Sequence, residues 1–451
     1  MKKRTFLKLA GAIGAESILS PLATLGAESS MPDKLRNWAG NVDYSTEVVL
    51  AAKSVAEVRE HVKKTEKLRV LGTRHCFNTI ADSKDAFLSL TEMHDEPALD
   101  VAARTVTVDA NMTYGRLAPW LEQKGFALHN LASLPHISVA GACSTATHGS
   151  GEKNRNLSAA VQGLEVVAAN GDAVRLSRQT DGGIFRGAVV SLGALGAIAK
   201  VTLEVQPTFQ ARQWVYENMP FDAIKAHFDE IEGAGYSVSL FTDWRNKNIN
   251  EVWVKERIGS GKAFEARTEW WGAKLAKKNL HPIAAQGAEN CTEQMGVPGP
   301  WYERLPHFKM GFTPSAGKEL QSEYFVPRKD AVDAIFAVEK LHEKISPHLL
   351  ITEIRAIAAD DLWLSPCYQQ DSVAIHFTWQ QDWPAVKAVL PEIEGALSPF
   401  AVKPHWGKLF TMEPAVLRLR HKKMPEFVEL ARKYDPHGKF RNEFLNKYVF
   451  A

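Results

Sequence analysis

Apolar residues recur at two different periods along this chain. Val55, Val58 and Val62 stand at helical spacing among charges, so the second half of residues 46–66 predicts a helix. Residues 104–109, Arg-Thr-Val-Thr-Val-Asp, alternate with period two and predict a strand. Residues 114–124 read as a helix, with Gly125 placed as its C-terminal stop. Two strand runs, 164–169 and 172–176, flank Asn170-Gly171, the dipeptide preferred in tight hairpin turns. A further strand, 197–206, ends at Pro207. Beyond it the composition shifts. Residues 213–217 and 236–244 read as strands separated by a helix. The stretch 255–278 alternates in charge and reads as a solvated, partly packed surface segment, and 262–314 reads as long loops. Strands return at 321–326, 350–357 and 373–379. The mixture is α+β, with no repeated strand–helix unit.

The late strands carry an unusual polar set. Residues two apart on a strand share a face. Glu353 and Arg355 therefore project together, as do His376 and Thr378, while Val373, Ile375, Phe377 and Trp379 take the opposite side. Gln321 and Lys408 can join the polar face. Two readings stay open: a sheet with one solvated face, or a cavity wall for a small ligand with many hydroxyls. The second reading has a physical logic, because each buried hydroxyl left unpaired costs about 1–3 kcal/mol. Glutamate accepts, arginine donates in a fixed fork and histidine does either.

Two other stretches suggest a ligand. In Arg69-Val-Leu-Gly-Thr-Arg-His75 a short apolar run meets a glycine, reading as a buried strand that enters a tight turn and delivers His75 there. From His136 to Gly151 the chain is rich in small residues and hydroxyls. Such a loop suits a diphosphate, because successive amides form a positive nest; it equally suits plain close packing.

Composition narrows the class. The chain has 451 residues and a net charge of +2, without a basic block, which argues against nucleic acid as a partner. Four cysteines, Cys76, Cys143, Cys291 and Cys367, are too few for a disulfide scaffold, and no CxxC pair suggests a metal. Neither a GxGxxG fingerprint nor a Walker A loop is present. Residues 1–27 join a basic start to a weakly apolar middle and a small-residue end, the pattern of an export signal. Lys3-Arg4-Thr5-Phe6-Leu7-Lys8 looks like a twin-arginine motif with lysine in the first position. The segment is too short to be a convincing membrane span.

Longer motifs carry a family resemblance. They are Asn37-Trp-Ala-Gly-Asn41, Val70-Leu-Gly-Thr-Arg-His75, Ala132-Ser-Leu-Pro-His-Ile-Ser-Val-Ala-Gly141, Ser191-Leu-Gly-Ala-Leu-Gly196, Pro404-His-Trp-Gly-Lys408 and Asp435-Pro-His-Gly-Lys-Phe440. With them the chain resembles the vanillyl-alcohol-oxidase class of flavoproteins, and within it the alditol oxidase family, from about Asn37 to the C-terminus. The resemblance implies a two-domain fold: an FAD-binding domain over 37–207, an antiparallel-sheet substrate domain over 208–410, and a return to the first domain over 411–451. It implies FAD joined covalently through His75, with Val70, Leu71, Gly72, Thr73, Arg74, Cys76, Ser133, Ser138, Gly141, Thr145, Ala146, Thr147, His148 and Ala197 around the cofactor. His148 reads as fixing backbone rather than as a catalyst. The implied substrate contacts are Ser133, Gln321, Glu353, Arg355 and Thr378, with His376 as base and Lys408 as the cation near the reacting oxygen. The implied reaction is oxidation of the terminal alcohol of an alditol, with O2 reduced to H2O2. Such an enzyme is expected as a monomer whose partners are a polyol and O2, without a metal. A lactone-type dehydrogenase feeding a quinone or cytochrome is the alternative, and a polyol-binding protein without redox chemistry is another. One departure stands out: the family pattern has glycine before the flavin-linking histidine, and here Arg74 occupies that place.

Overall fold

A computed structural model describes residues 34–261, 263–312 and 318–451. The export signal expected over residues 1–27 lies outside them. No helix among the described residues is long and apolar enough to cross a membrane.

Residues up to Glu204 build two small sheets. Strands β1 (Val49–Ala51), β2 (Arg69–Leu71) and β3 (Phe87–Ser89) form a parallel sheet in the order β1-β3-β2. Strands β4 (Ala98–Asp100), β5 (Thr105–Asp109), β7 (Val161–Val167), β8 (Ala173–Ser177) and β9 (Ala197–Glu204) form an antiparallel sheet in the order β4-β5-β9-β7-β8. The short strands β6 (Phe126–Ala127) and β10 (Gln206–Pro207) pair with each other. The expected helix in 46–66 is Val55–Lys64, capped by the Ser54 side chain, with Val58 and Val62 buried. The helix Tyr114–Gln123 ends before Gly125, whose φ of +81° needs glycine.

The hairpin at Asn170-Gly171 differs from the expected two-residue turn. Ala168 N donates to Asp172 O at 2.9 Å and Gly171 N to Ala168 O at 2.8 Å. Gly171, and not Asn170, takes a positive φ, so the connection is one residue longer and ends in a glycine bulge.

Residues 210–404 build the second assembly, a ten-stranded antiparallel sheet. Its order is β14 (Glu269–Trp270), β15 (Ala273–Leu275), β11 (Gln210–Pro220), β13 (Asn248–Arg257), β12 (Ser237–Thr242), β18 (Leu349–Ile357), β19 (Ser372–Gln380), β17 (Glu319–Pro327) and β20 (Lys403–Pro404), with β16 (Gly299–Pro300) on β11. One face is mostly apolar: Val373, Ile375, Phe377 and Trp379 are completely buried, and Ser322 and Thr352 stand beside Phe377 on the neighbouring strands. Helix Ala331–Glu339 covers β17 and β19 there, and helix Phe221–Glu232 covers β11 and β12. Burial of each such side chain contributes about 1.5–3 kcal/mol. Strand β13 has no counterpart in the sequence reading, and the supposed loops of 262–314 include three short strands. Lys255, expected on a solvated segment, is 1% exposed on β13.

Three connections bring this sheet to the smaller ones. Gly151 N donates to Ala356 O at 2.9 Å, a bridge between the small-residue loop and β18. A Cβ on Gly151 would stand 2.4 Å from Tyr236 O, so no other residue fits. Asn78 holds Trp406 O and Lys408 O at 2.8 and 2.7 Å. After residue 411 the chain returns to the small parallel sheet, where Arg69 binds Phe440 O at 2.7 Å.

Candidate active site

The polar face of the large sheet and the two glycine-rich segments close around one cavity of about 570 Å³. Both halves of its wall are set by backbone geometry, and each half presents unpaired chemistry.

On the first half, β2 stops at Leu71 and the chain turns through Gly72, Thr73 and Arg74. Arg74 adopts φ +63°, the left-handed conformation that glycine takes without cost. The turn is held by Trp38 N donating to Arg74 O at 2.8 Å, and by Ser138 N donating to Thr73 Oγ1 at 3.2 Å. The arginine side chain is exposed and its Nη1 reaches Arg36 O at 3.1 Å. The family's glycine thus answers to a backbone requirement that Arg74 meets under strain. Arg74→Gly is expected to raise stability by about 0.5–1 kcal/mol, the relieved strain less the added chain entropy. A lower denaturant midpoint for Arg74→Gly would show that the Arg36 contact outweighs the strain.

His75 follows on the cavity wall. Its ring stacks on Trp38 at 5.2 Å and stands 4.6 Å from the His136 ring. Neither nitrogen of His75 or of His136 has a hydrogen-bond partner, although all four are buried. Burial, with His136 and Lys408 adding to it, pushes His75 down to about 3. It is therefore a neutral imidazole with its nitrogens free at the cavity. The neighbouring Cys76 thiol is pushed up to about 11 by burial, so it is not a thiolate there. Val70, Leu71, Gly72, Thr73, Arg74, Cys76, Ser133, Ser138, Gly141, Thr145, Thr147 and His148 line the same cavity. A Cβ on Gly72 would come to 3.1 Å from Ser138 Oγ, and on Gly141 to 2.7 Å, so glycine at both lets the two segments converge. Two expected contacts are not among the lining residues. Ala197 is buried, and its neighbours Gly196 and Ile198 line the cavity. Ala146 sits at φ +57° inside a turn, with Thr145 and Thr147 on the wall instead.

The second half is the sheet face. In register across β18, β19 and β17 stand Glu353, His376 and Glu323; in the adjacent row stand Ile351, Thr378 and Gln321. All line the cavity with Arg355 and Lys408, so the sheet face is a cavity wall and not a solvated surface. Gln321 Oε1 accepts from Lys408 Nζ and from His376 Nε2, the latter at 3.2 Å. Burial pushes His376 down to about 3 and lowers the Lys408 ammonium. Lys408 also lies 4.9 Å over the Phe77 ring.

Glu323, absent from the sequence reading, is the hub of this face. Its Oε1 accepts from Arg355 Nη2 at 2.7 Å and from His148 Nε2 at 3.1 Å. The other His148 nitrogen, Nδ1, lies 2.8 Å from Gly149 O. Burial alone would raise the Glu323 carboxyl, but His148 and Arg355 hold it well below the usual range. The signal was present: Glu323 stands two residues after Gln321 and must share its face. His307, which donates to Glu353 Oε1 at 2.7 Å, comes from a loop and has no periodic signature.

Comparison with known proteins gives this geometry its context. Residues 46–177 match an FAD binding domain, and residues 313–448 match the D-arabinono-1,4-lactone oxidase model. An alditol oxidase from a Streptomyces species is 43% identical, over 92% of this chain and 99% of the relative. This chain belongs to the alditol oxidase family. An L-gulono-1,4-lactone dehydrogenase of Mycobacterium tuberculosis is 26% identical over 92% of this chain and 98% of that protein. In fold, a solvent-stable cholesterol oxidase superposes with a TM-score of 0.74 at 15% identity, covering 92% of this chain and 97% of that one. Membership of the family makes the protein an FAD-dependent oxidoreductase with the vanillyl-alcohol-oxidase-like fold. The cavity fits the cofactor on two counts: glycines where a Cβ would close the cradle, and an unpartnered buried imidazole at its wall.

Proposed function

We propose that this protein oxidises the terminal primary alcohol of alditols such as xylitol, sorbitol and glycerol to the aldose, with O2 reduced to H2O2. The observation that carries the reading is one cavity lined by His75 and by Gln321, Glu353, Arg355, His376, Thr378 and Lys408. What FAD supplies when bound is a two-electron acceptor that oxygen can reoxidise. The alcohol R–CH2OH loses two electrons and two protons, and O2 takes up both pairs to give H2O2.

The chain's own residues do the rest. Glu353, Arg355 and Thr378 bind the hydroxyls remote from the reacting carbon, each being a donor or acceptor on a rigid strand. Ser133 and Gln321 hold the reacting end. His376, a neutral imidazole whose Nε2 proton is held by Gln321, accepts the hydroxyl proton at Nδ1. The Lys408 ammonium stabilises negative charge on the reacting oxygen. His75 provides the covalent anchor for the flavin: its imidazole is neutral and unpaired, so the nitrogen without a proton is free to act as a nucleophile. In His75→Ala, acid precipitation should release the flavin into the supernatant; a yellow pellet from that variant would remove His75 from the linkage.

The family's flavin domain is assigned to 37–207 and 411–451, and the substrate domain to 208–410. Residues 1–27 are proposed to direct export by the twin-arginine route, with the mature protein a monomer. The deciding experiment is oxygen consumption by the FAD-loaded protein with xylitol, sorbitol and glycerol. Uptake matched by peroxide supports the oxidase. Dye reduction without oxygen uptake replaces it with a dehydrogenase that feeds a quinone or cytochrome.

A further inference from the structure

Lys255 is a lysine in the wrong place for a surface charge. It is 1% exposed, on β13, facing Ser237 of β12 and Gln213 of β11. Burial pushes the Lys255 ammonium down to about 7, against the pull of the nearby Glu353 carboxylate, and in its protonated form it has three protons and no acceptor site. Lys255 Nζ finds three acceptors: Leu305 O at 2.5 Å, Pro306 O at 3.1 Å and His307 Nδ1 at 3.2 Å. A nitrogen that accepts carries no proton, so His307 holds its proton on Nε2. That proton goes to Glu353 Oε1 at 2.7 Å. The imidazole is clamped edge-on between Phe241 and Trp253, at 5.5 and 5.2 Å, and cannot swing away.

The consequence falls on Glu353. His307 Nε2 and Arg355 Nε, the latter at 3.5 Å, both approach Oε1. Oε2 is left for a ligand in the cavity. The same ammonium holds the backbone carbonyls of Leu305 and Pro306, and Phe308, two residues on, lines the cavity.

We propose that Lys255 and His307 are positioning residues, a buried relay that fixes the imidazole tautomer so that Glu353 presents one free carboxylate oxygen to a polyol hydroxyl. This inference rests on the polyol reading of the site, and it concerns substrate orientation rather than the redox step. A buried lysine serving only as packing could be replaced by methionine with no effect on the ligand. A relay cannot, because the imidazole then loses the partner that keeps Nδ1 unprotonated.

Two measurements test it on the FAD-loaded protein. Imidazole 15N NMR, with the His307 resonances assigned by their loss in His307→Gln, should show the Nε2–H tautomer in the wild type and a mixture in Lys255→Met. Steady-state kinetics with xylitol should show KM raised about tenfold in Lys255→Met, as expected for losing an oriented charge-assisted contact, with kcat within about twofold. If Lys255→Met does not fold, the pair His307→Gln and His307→Leu decides. Glutamine keeps a donor near the Nε2 position and should hold KM near wild type, whereas leucine should raise it about tenfold. Equal KM values for that pair, or an unchanged KM in a folded Lys255→Met, would overturn the relay. Should the wild type oxidise no polyol, the substrate reading falls by itself. The tautomer measurement still judges the relay: a proton position indifferent to Lys255 overturns it.

Discussion

Lys408→Met is expected to lower turnover of xylitol by about 10²–10³-fold, with a much smaller change in KM. The residue is held at three points. Its backbone carbonyl is bound by Asn78 at 2.7 Å, its ammonium by Gln321, and its charge lies over Phe77. Methionine keeps the length and the apolar contact and removes only the cation. An interaction that matters while charge develops on the reacting oxygen should cost kcat and kcat/KM alike. Rapid-mixing measurement of the flavin absorbance on addition of xylitol isolates the reductive half. An unchanged reduction rate would take Lys408 out of the chemistry and leave it a structural clamp on Gln321.

The second large effect concerns stability. Glu323→Ala should destabilise the protein by about 3–5 kcal/mol, because it leaves the buried Arg355 guanidinium without its 2.7 Å partner and His148 without its acceptor. Glu323→Gln should cost less, since the amide can still accept. The acid response carries the same information. The folded carboxyl is held below the value of about 4.3 for a free glutamate. Its stabilising contribution is therefore complete above that pH and is lost as the pH falls through the depressed folded value. Urea midpoints for wild type and Glu323→Gln, followed from neutral pH down to well below the free-glutamate value, would show this. The difference between the two proteins should shrink in acid; a difference that stays constant would mean Glu323 is not ionised in the fold.

Strand β19 was legible in the sequence because one of its sides, Val373, Ile375, Phe377 and Trp379, is apolar without a break. Alternation at Val373–Trp379 predicted both the core face and the placement of His376 and Thr378, and the same rule placed Glu353 beside Arg355. It would have placed Glu323 too, had the polar pattern been continued past Gln321. Strand β13 escaped because it runs Asn-Ile-Asn-Glu-Val-Trp-Val-Lys-Glu-Arg, where charges on a buried face are paired by residues remote in sequence. Lys255 is the clearest instance. Its partners come from a loop fifty residues on, and no local pattern announces a buried ammonium. His307 is hidden for the same reason. Arg74 is a different kind of case: the family motif marked it as a departure, but only the backbone angle explains what the family's glycine is for.

The large sheet also has a meaning for how the family can change. Its central strands form a two-dimensional grid, with side chains about 4.8 Å apart from strand to strand and about 6.8 Å apart along each strand. One set of grid points faces the ligand and the alternate set faces the helices. Residues that choose a substrate and residues that hold the fold are interleaved in the gene yet never touch the same neighbours. A change at a ligand-facing point such as Thr378 leaves the packing of Phe377 and Trp379 intact. The grid can therefore be rewritten for a new pattern of hydroxyls one position at a time, except at the Glu323–Arg355 crossing, where recognition and folding share a single ion pair.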